Sequence, residues 1–178
     1  MCRKFYLPLS ILYFVFTLPL QAQDPNDTEF RKDWLLLAKL NNGFITNFHA
    51  LPADMYAGGI SINPQFTVVV NKLRLGANAG FVYGGKKMSG LFGPMAAFKI
   101  KNFDAKNFGG LANMHLIAEA NWGTDQQQLA GGGLGFEILK LIHLSITAQR
   151  DYHLNYWWFQ SHIGIKLNKK KKTKEVFE

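Results

Sequence analysis

The chain has 178 residues, of which 48% are apolar, with one cysteine and a formal net charge of +8. That length suits one domain, and Cys2 alone leaves no disulfide or cysteine metal site. Six lysines crowd between Lys166 and Lys174, so the excess charge is mainly a tail property. A like-charge run is usually a solvated end, and nucleic acid is not an expected partner.

Arg3 and Lys4 precede an apolar run from Leu7 to Leu20, and small Ala22 follows. A basic start, about 14 apolar residues and a small residue at the end make a secretory signal peptide. A membrane anchor helix would need a longer run, uninterrupted by Pro8 and Pro19. Residues 1–23 are therefore expected to be cleaved. Cys2 lies before the run rather than after it, which does not suit lipoprotein acylation.

Residues 24–42 show no two-residue beat and read as a lead-in segment. Asn26 or Thr28 could cap a short N-terminal helix carrying Phe30, Trp34, Leu35 and Leu37. No role of its own is expected for it.

From residue 43 the hydrophobicity alternates with a period of two. Leu73, Leu75, Ala77, Ala79, Phe81 and Tyr83 interleave with Arg74, Gly76, Asn78, Gly80 and Val82. The same pattern recurs over 43–51, 55–69, 72–84, 88–101, 110–122, 127–138, 141–151 and 156–167. Such segments are about twice the usual soluble strand and close to the 9–11 residues that cross a bilayer. The connections between them are short and rich in turn residues, which makes neighbours antiparallel hairpin partners. The expected fold is all-β: an eight-stranded antiparallel up-and-down transmembrane β-barrel over 43–168. Residues 169–178 would form a basic periplasmic tail.

Charge decides which face meets lipid. One face collects large apolar side chains, among them Leu75, Phe81, Leu116, Leu134, Ile146 and Ile163, and its one charge is Arg150 at a strand end. The other carries glycines and polar groups but little of the Lys and Glu that coat soluble strands. A charge facing lipid at the midplane costs about 2–4 kcal/mol, so its exclusion from one face points to a membrane. If both termini are periplasmic, Tyr56, Tyr83, Trp122, Tyr152, Tyr156 and Trp157 share the outer rim, where amphipathic rings favour the interface.

Eight strands enclose a lumen that side chains can fill, so no open pore is expected. Arg74, Lys99, Glu119, Glu137, His49, His115, His162 and Gln149 are its expected polar network, because charges taken from water need partners. Arg74, Lys99 and Lys166 should lie in the periplasmic half with Glu137, and Glu119 in the outer half with His49 and His162 as neighbours. A metal or acid–base site built on His49, His162 and Glu119 lacks any local spacing motif; no metal and no cofactor is expected. Arg150, Asp151 and Trp158, in the last outer loop, could contact lipopolysaccharide or a partner.

His143-Leu-Ser145 resembles in part the His-x-Ser of the lipid A deacylase barrels, though Ile146-Thr-Ala148 departs from that family's continuation. This placement puts His143 and Ser145 in the lumen, out of reach of an outer-leaflet lipid, and a nucleophile needs its base and its substrate together. Over about residues 30–168 the chain resembles the small eight-stranded outer-membrane barrels, in the style of the OmpA transmembrane domain. Gly123-Thr…Gly131-Gly-Gly133 and Thr147-Ala-Gln-Arg-Asp-Tyr152…Trp157-Trp-Phe-Gln160 look like an uncharacterised Bacteroidetes-type barrel family. The resemblance implies fold and an outer-membrane location with no known activity. Leu167 followed by a basic tail departs from the closing aromatic common in such barrels. The reading is a non-enzymatic structural or interaction protein, its partners outer-membrane lipid and an unidentified envelope protein. The alternatives are a lipid A-modifying barrel enzyme and a soluble lipocalin-like periplasmic ligand-binding barrel.

Overall fold

A computed structural model describes residues 30, 34–48, 55–84, 87–105, 110–138 and 141–167. Eight strands follow one another: β1 Trp34–Thr46, β2 Met55–Val69, β3 Leu73–Gly84, β4 Lys87–Ala105, β5 Gly110–Gly123, β6 Gln128–Ile138, β7 Ile142–Asp151 and β8 Trp157–Lys166. Each pairs antiparallel with the next, and β1 pairs with β8 to close the barrel. Closure uses ten residue pairs, from Leu37 opposite Lys166 to Thr46 opposite Trp157. Closure gives every strand a partner on both sides, so the sheet has no open edge strand.

Seven strands fall within a few residues of the segments marked by the alternation. The first does not. A strand was expected over 43–51, preceded by a lead-in with a short helix; instead β1 starts at Trp34 and ends at Thr46. Of the lead-in, residues 34–42 are strand, Phe30 stands in a turn, and the remainder lies outside the described residues. The cause is local. Leu35 and Leu37 face inward and are buried, while Trp34 and Leu40 face outward, so both faces of this stretch are apolar and the beat vanishes.

The strands' outer and inner faces differ in chemistry. Leu75, Leu116, Leu134 and Ile163 are exposed, as are Phe81 at 60% and Ile146 at 66%. Lys39, Asn63, Gln65, Arg74, Asn113, Glu119, Glu137, Thr147 and Gln149 are buried. The charged and amide side chains fill the middle of the barrel and the large hydrocarbons coat it.

Two irregularities shape the wall. Register shifts occur between Thr67 and Val69 and between Lys99 and Lys101, both toward the end where β1 begins and β8 ends. The second places one lysine inward and the next outward: Lys99 is buried and Lys101 exposed. A bulge bends and twists a strand in this way. Turns at both ends use left-handed residues, with Asn71 at φ 62° and Asn155 at φ 59°. Asparagine tolerates that region better than most residues.

Candidate functional site: the lumen and its two apolar seals

The lumen has three layers along the barrel axis. At the end where β1 begins and β8 ends, Phe30 reaches into the mouth and is wholly buried against Met95, Ala97 and Ile117. Its carbonyl accepts a hydrogen bond from the Asn71 amide at 2.9 Å, which ties it to the β2–β3 turn. The Arg74 guanidinium carbon stands 4.0 Å from the Phe30 ring centroid and the Lys99 ammonium 5.9 Å. A π face within about 6 Å attracts a cation, so the ring both seals the mouth and faces the charges behind it. Sequence reading placed Phe30 on a helix and missed this role, because nothing local marks a residue that folds back into a barrel formed by distant strands.

Behind Phe30 runs a chain of hydrogen bonds whose direction follows from its first member. The Glu137 carboxylate pairs with Arg74 at 3.1 Å and can only accept. Asn113 therefore donates its Nδ2 to Glu137 at 3.2 Å, which leaves its Oδ1 facing His115 Nδ1 at 3.0 Å. His115 Nδ1 must carry the hydrogen. Its Nε2 lies 2.9 Å from His143 Nε2, and two N–H groups cannot point at each other at that distance. His115 Nε2 is thus the acceptor and His143 Nε2–H the donor. Each tautomer follows from a carboxylate two or three residues away. Gly135 makes the room: a Cβ there would lie 2.2 Å from His115 Nε2.

Glu119 anchors a second group. It pairs with Lys39 at 3.7 Å and accepts from Gln149 Nε2 at 2.7 Å. Beside it, His162 Nδ1 donates to Asn41 Oδ1 at 2.8 Å, and its Nε2 accepts from the Thr147 hydroxyl at 2.9 Å. The expected neighbours of Glu119 were His49 and His162. His49 lies outside the described residues, and the ion-pair partner is Lys39, which the lead-in assignment had placed off the barrel. Among the described residues, no group of three or more His, Cys, Asp or Glu side chains is arranged to hold a metal ion.

The third layer seals the opposite end. Ile45, Ala57, Val82, Leu129 and Trp158 form a buried apolar cluster, with Leu91 and Tyr156 packed on it. Two expectations change here. Trp158, a candidate for outer-loop contact, points inward and is 3% exposed. Asp151, another, is fully buried. Its Oδ1 accepts from the amides of Gln128, His153 and Leu154 at 3.2, 3.0 and 3.0 Å, so it shapes the β7–β8 turn. Arg150 stays on the outside, bonded to Asn155 Oδ1 at 2.7 Å and set 5.6 Å from the Trp157 ring.

The residues expected to form an aromatic belt stand at this same end. Tyr56, Tyr83, Trp122 and Tyr152 are exposed, and Trp157 stacks on Phe159 with centroids 6.2 Å apart. Tyr156 is the exception, packed against the interior cluster. His143 and Ser145 both face the lumen at 3% exposure.

No family model and no curated protein matches the chain. Among solved structures it is similar to one described as "De novo design of transmembrane beta-barrels", at 13% identity and TM-score 0.48, covering 75% of this chain and 95% of that one. It is also similar to "Solution NMR structure of de novo designed TMB2.3", at 13% identity and TM-score 0.43, covering 76% and 95%. The class of protein defined here, a closed eight-stranded antiparallel barrel, rests on the chain's own strand pairings.

Proposed function

We propose that the protein is an outer-membrane β-barrel with a structural or interaction role, a closed polar lumen and no catalytic activity. One observation carries this reading: charge and amide groups are gathered inside while Leu, Ile and Phe cover the wall from β1 round to β8. A protein in water would leave that belt as one apolar surface, whereas the largest patch on a typical monomer is about 300–600 Å². In a bilayer the same belt is solvated by acyl chains, and a closed barrel satisfies every backbone group within itself.

Strand lengths of 10–19 residues meet or exceed the roughly 9–11 that a tilted crossing needs. The signal-like residues 1–23 support export, and outer-membrane barrels place short turns on the periplasmic side. The links between strands are 3, 4 and 3 residues long at the end where β1 begins and β8 ends, against 8, 2, 4 and 5 at the other end, which supports periplasmic termini. Outer-membrane lipid is then the principal partner, with an envelope protein as a second. Against a lipid-modifying enzyme stands the burial of His143 and Ser145 behind the wall. Against a lipocalin-like carrier stands a lumen packed with hydrogen-bonded polar side chains.

Leu134 lies mid-strand on β6 and faces outward. Leu134→Arg is expected to lower unfolding stability in lipid vesicles by about 2–4 kcal/mol. Substitution of an exposed side chain in water changes stability by less than about 0.5 kcal/mol. Urea titration of both proteins in vesicles decides the matter: a neutral effect there, with the native chain recovered from the aqueous fraction of cells, removes the membrane reading.

A further inference from the structure

Between the Glu119 group and the apolar cluster of the loop end lies a small chamber lined by Asn78, Asn121, Gln160, Glu119, Asn41 and His162, among others. It offers about 10 Å³ for the centre of a water molecule, which is close to the threshold for one water. Three of its buried polar atoms have no hydrogen-bond partner in the protein: Asn78 Oδ1, Asn121 Oδ1 and Gln160 Nε2. They come from β3, β5 and β8, three separate staves of the barrel.

We infer that this chamber is a binding site for a single structural water that bridges β3, β5 and β8 across the lumen. The stoichiometry of the orphan atoms fits water. It donates two hydrogens, one to each asparagine oxygen, and accepts one from the Gln160 amide. Buried waters typically make about three such bonds. A cation fits less well. It could use the two amide oxygens, but it would face the Gln160 N–H, and Lys39 already holds Glu119 at 3.7 Å, adding a positive charge beside the chamber. An anion would meet two carbonyl oxygens and the Glu119 carboxylate. Only a neutral group that both donates and accepts satisfies all three atoms. The bridge supplies the loop-side half of the lumen with the cross-barrel link that Arg74–Glu137 supplies on the other side.

The test is a high-resolution crystal structure of the full chain in detergent, with a second crystal soaked in rubidium chloride. One density peak is expected at roughly 2.7–3.2 Å from each of Asn78, Asn121 and Gln160, with no anomalous rubidium signal. A chamber without density, or one with a rubidium peak, overturns the assignment. A third crystal, of Asn121→Leu, is expected to lose the peak; its persistence there would overturn the three-strand bridge. If that variant does not fold, the two native crystals decide alone.

Discussion

Glu137 and Glu119 show how few residues organise this interior. Each carboxylate accepts only, so its neighbours are forced into one orientation, and the tautomers of His115 and His143 follow from Glu137 through Asn113. Lys39 and Glu119 have side chains that are 2% exposed, so neither can recover solvation if the other is removed. Removing one partner of a buried pair costs about 3–5 kcal/mol, whereas replacing both by apolar groups of similar volume is often neutral. Lys39→Met should therefore destabilise by about that amount, and Lys39→Met/Glu119→Leu should regain most of it. The residual loss would reflect Gln149, which is left without its acceptor. Urea unfolding of the two variants in vesicles reads both numbers. A double variant no better than the single would show that Glu119 matters through some contact other than Lys39.

At the scale of elements, β1 marks the boundary of what the sequence made legible. Along most of their length the other seven strands carry small or polar residues on one face and large hydrocarbons on the other, as in Arg74, Gly76, Asn78 and Gly80 against Leu73, Leu75 and Phe81, with apolar inward residues such as Val82, Met95 and Ile117 confined to the two seals. That contrast is a local property and survives without neighbours. Leu35 and Leu37 break it because they are buried on the inner face while Trp34 and Leu40 are exposed on the outer one, so both faces are apolar. The same reasoning explains Trp158. It sits among aromatic residues of the outer rim in sequence, and only its partners Ile45, Ala57, Val82 and Leu129, from four other strands, show that it closes the barrel from within. Arg74 beside Glu137 was readable, but Lys39 beside Glu119 was not, since that pairing depends on a first strand whose alternation is hidden. If β1 begins at Trp34, amides from Leu35 to Asn42 bond to β2, and to β8 where it overlaps them, and they should exchange as slowly as those of β3. Hydrogen exchange in micelles measures this directly. Fast exchange across Leu35–Asn42, with protection beginning only at Gly43, would restore the shorter first strand.

For the whole molecule, the layering has a consequence for permeation. An ion crossing the lumen would have to pass Phe30, the Arg74–Glu137 and Lys39–Glu119 groups, and then the cluster around Trp158. Each layer excludes water in a different way. The ends are closed by packed apolar side chains, and the middle is occupied by charged and amide side chains, most of them bonded to one another. Eight strands leave an interior that side chains can just fill, so the seal does not depend on a single residue. Two outcomes follow for the purified chain in a planar bilayer. The native protein should show no steady conductance, and neither should Trp158→Ala, because the polar middle and Phe30 still block the path. Stability should respond where conductance does not: truncating a buried tryptophan costs roughly 3–5 kcal/mol. Trp157→Ala, on the outer face beside Phe159, should cost far less. A discrete conductance in the native protein would mean that the lumen is open and that the three layers do not act as seals. A conductance that arises only in Trp158→Ala would instead make the loop-end cluster the sole barrier, with the polar middle wet and passable.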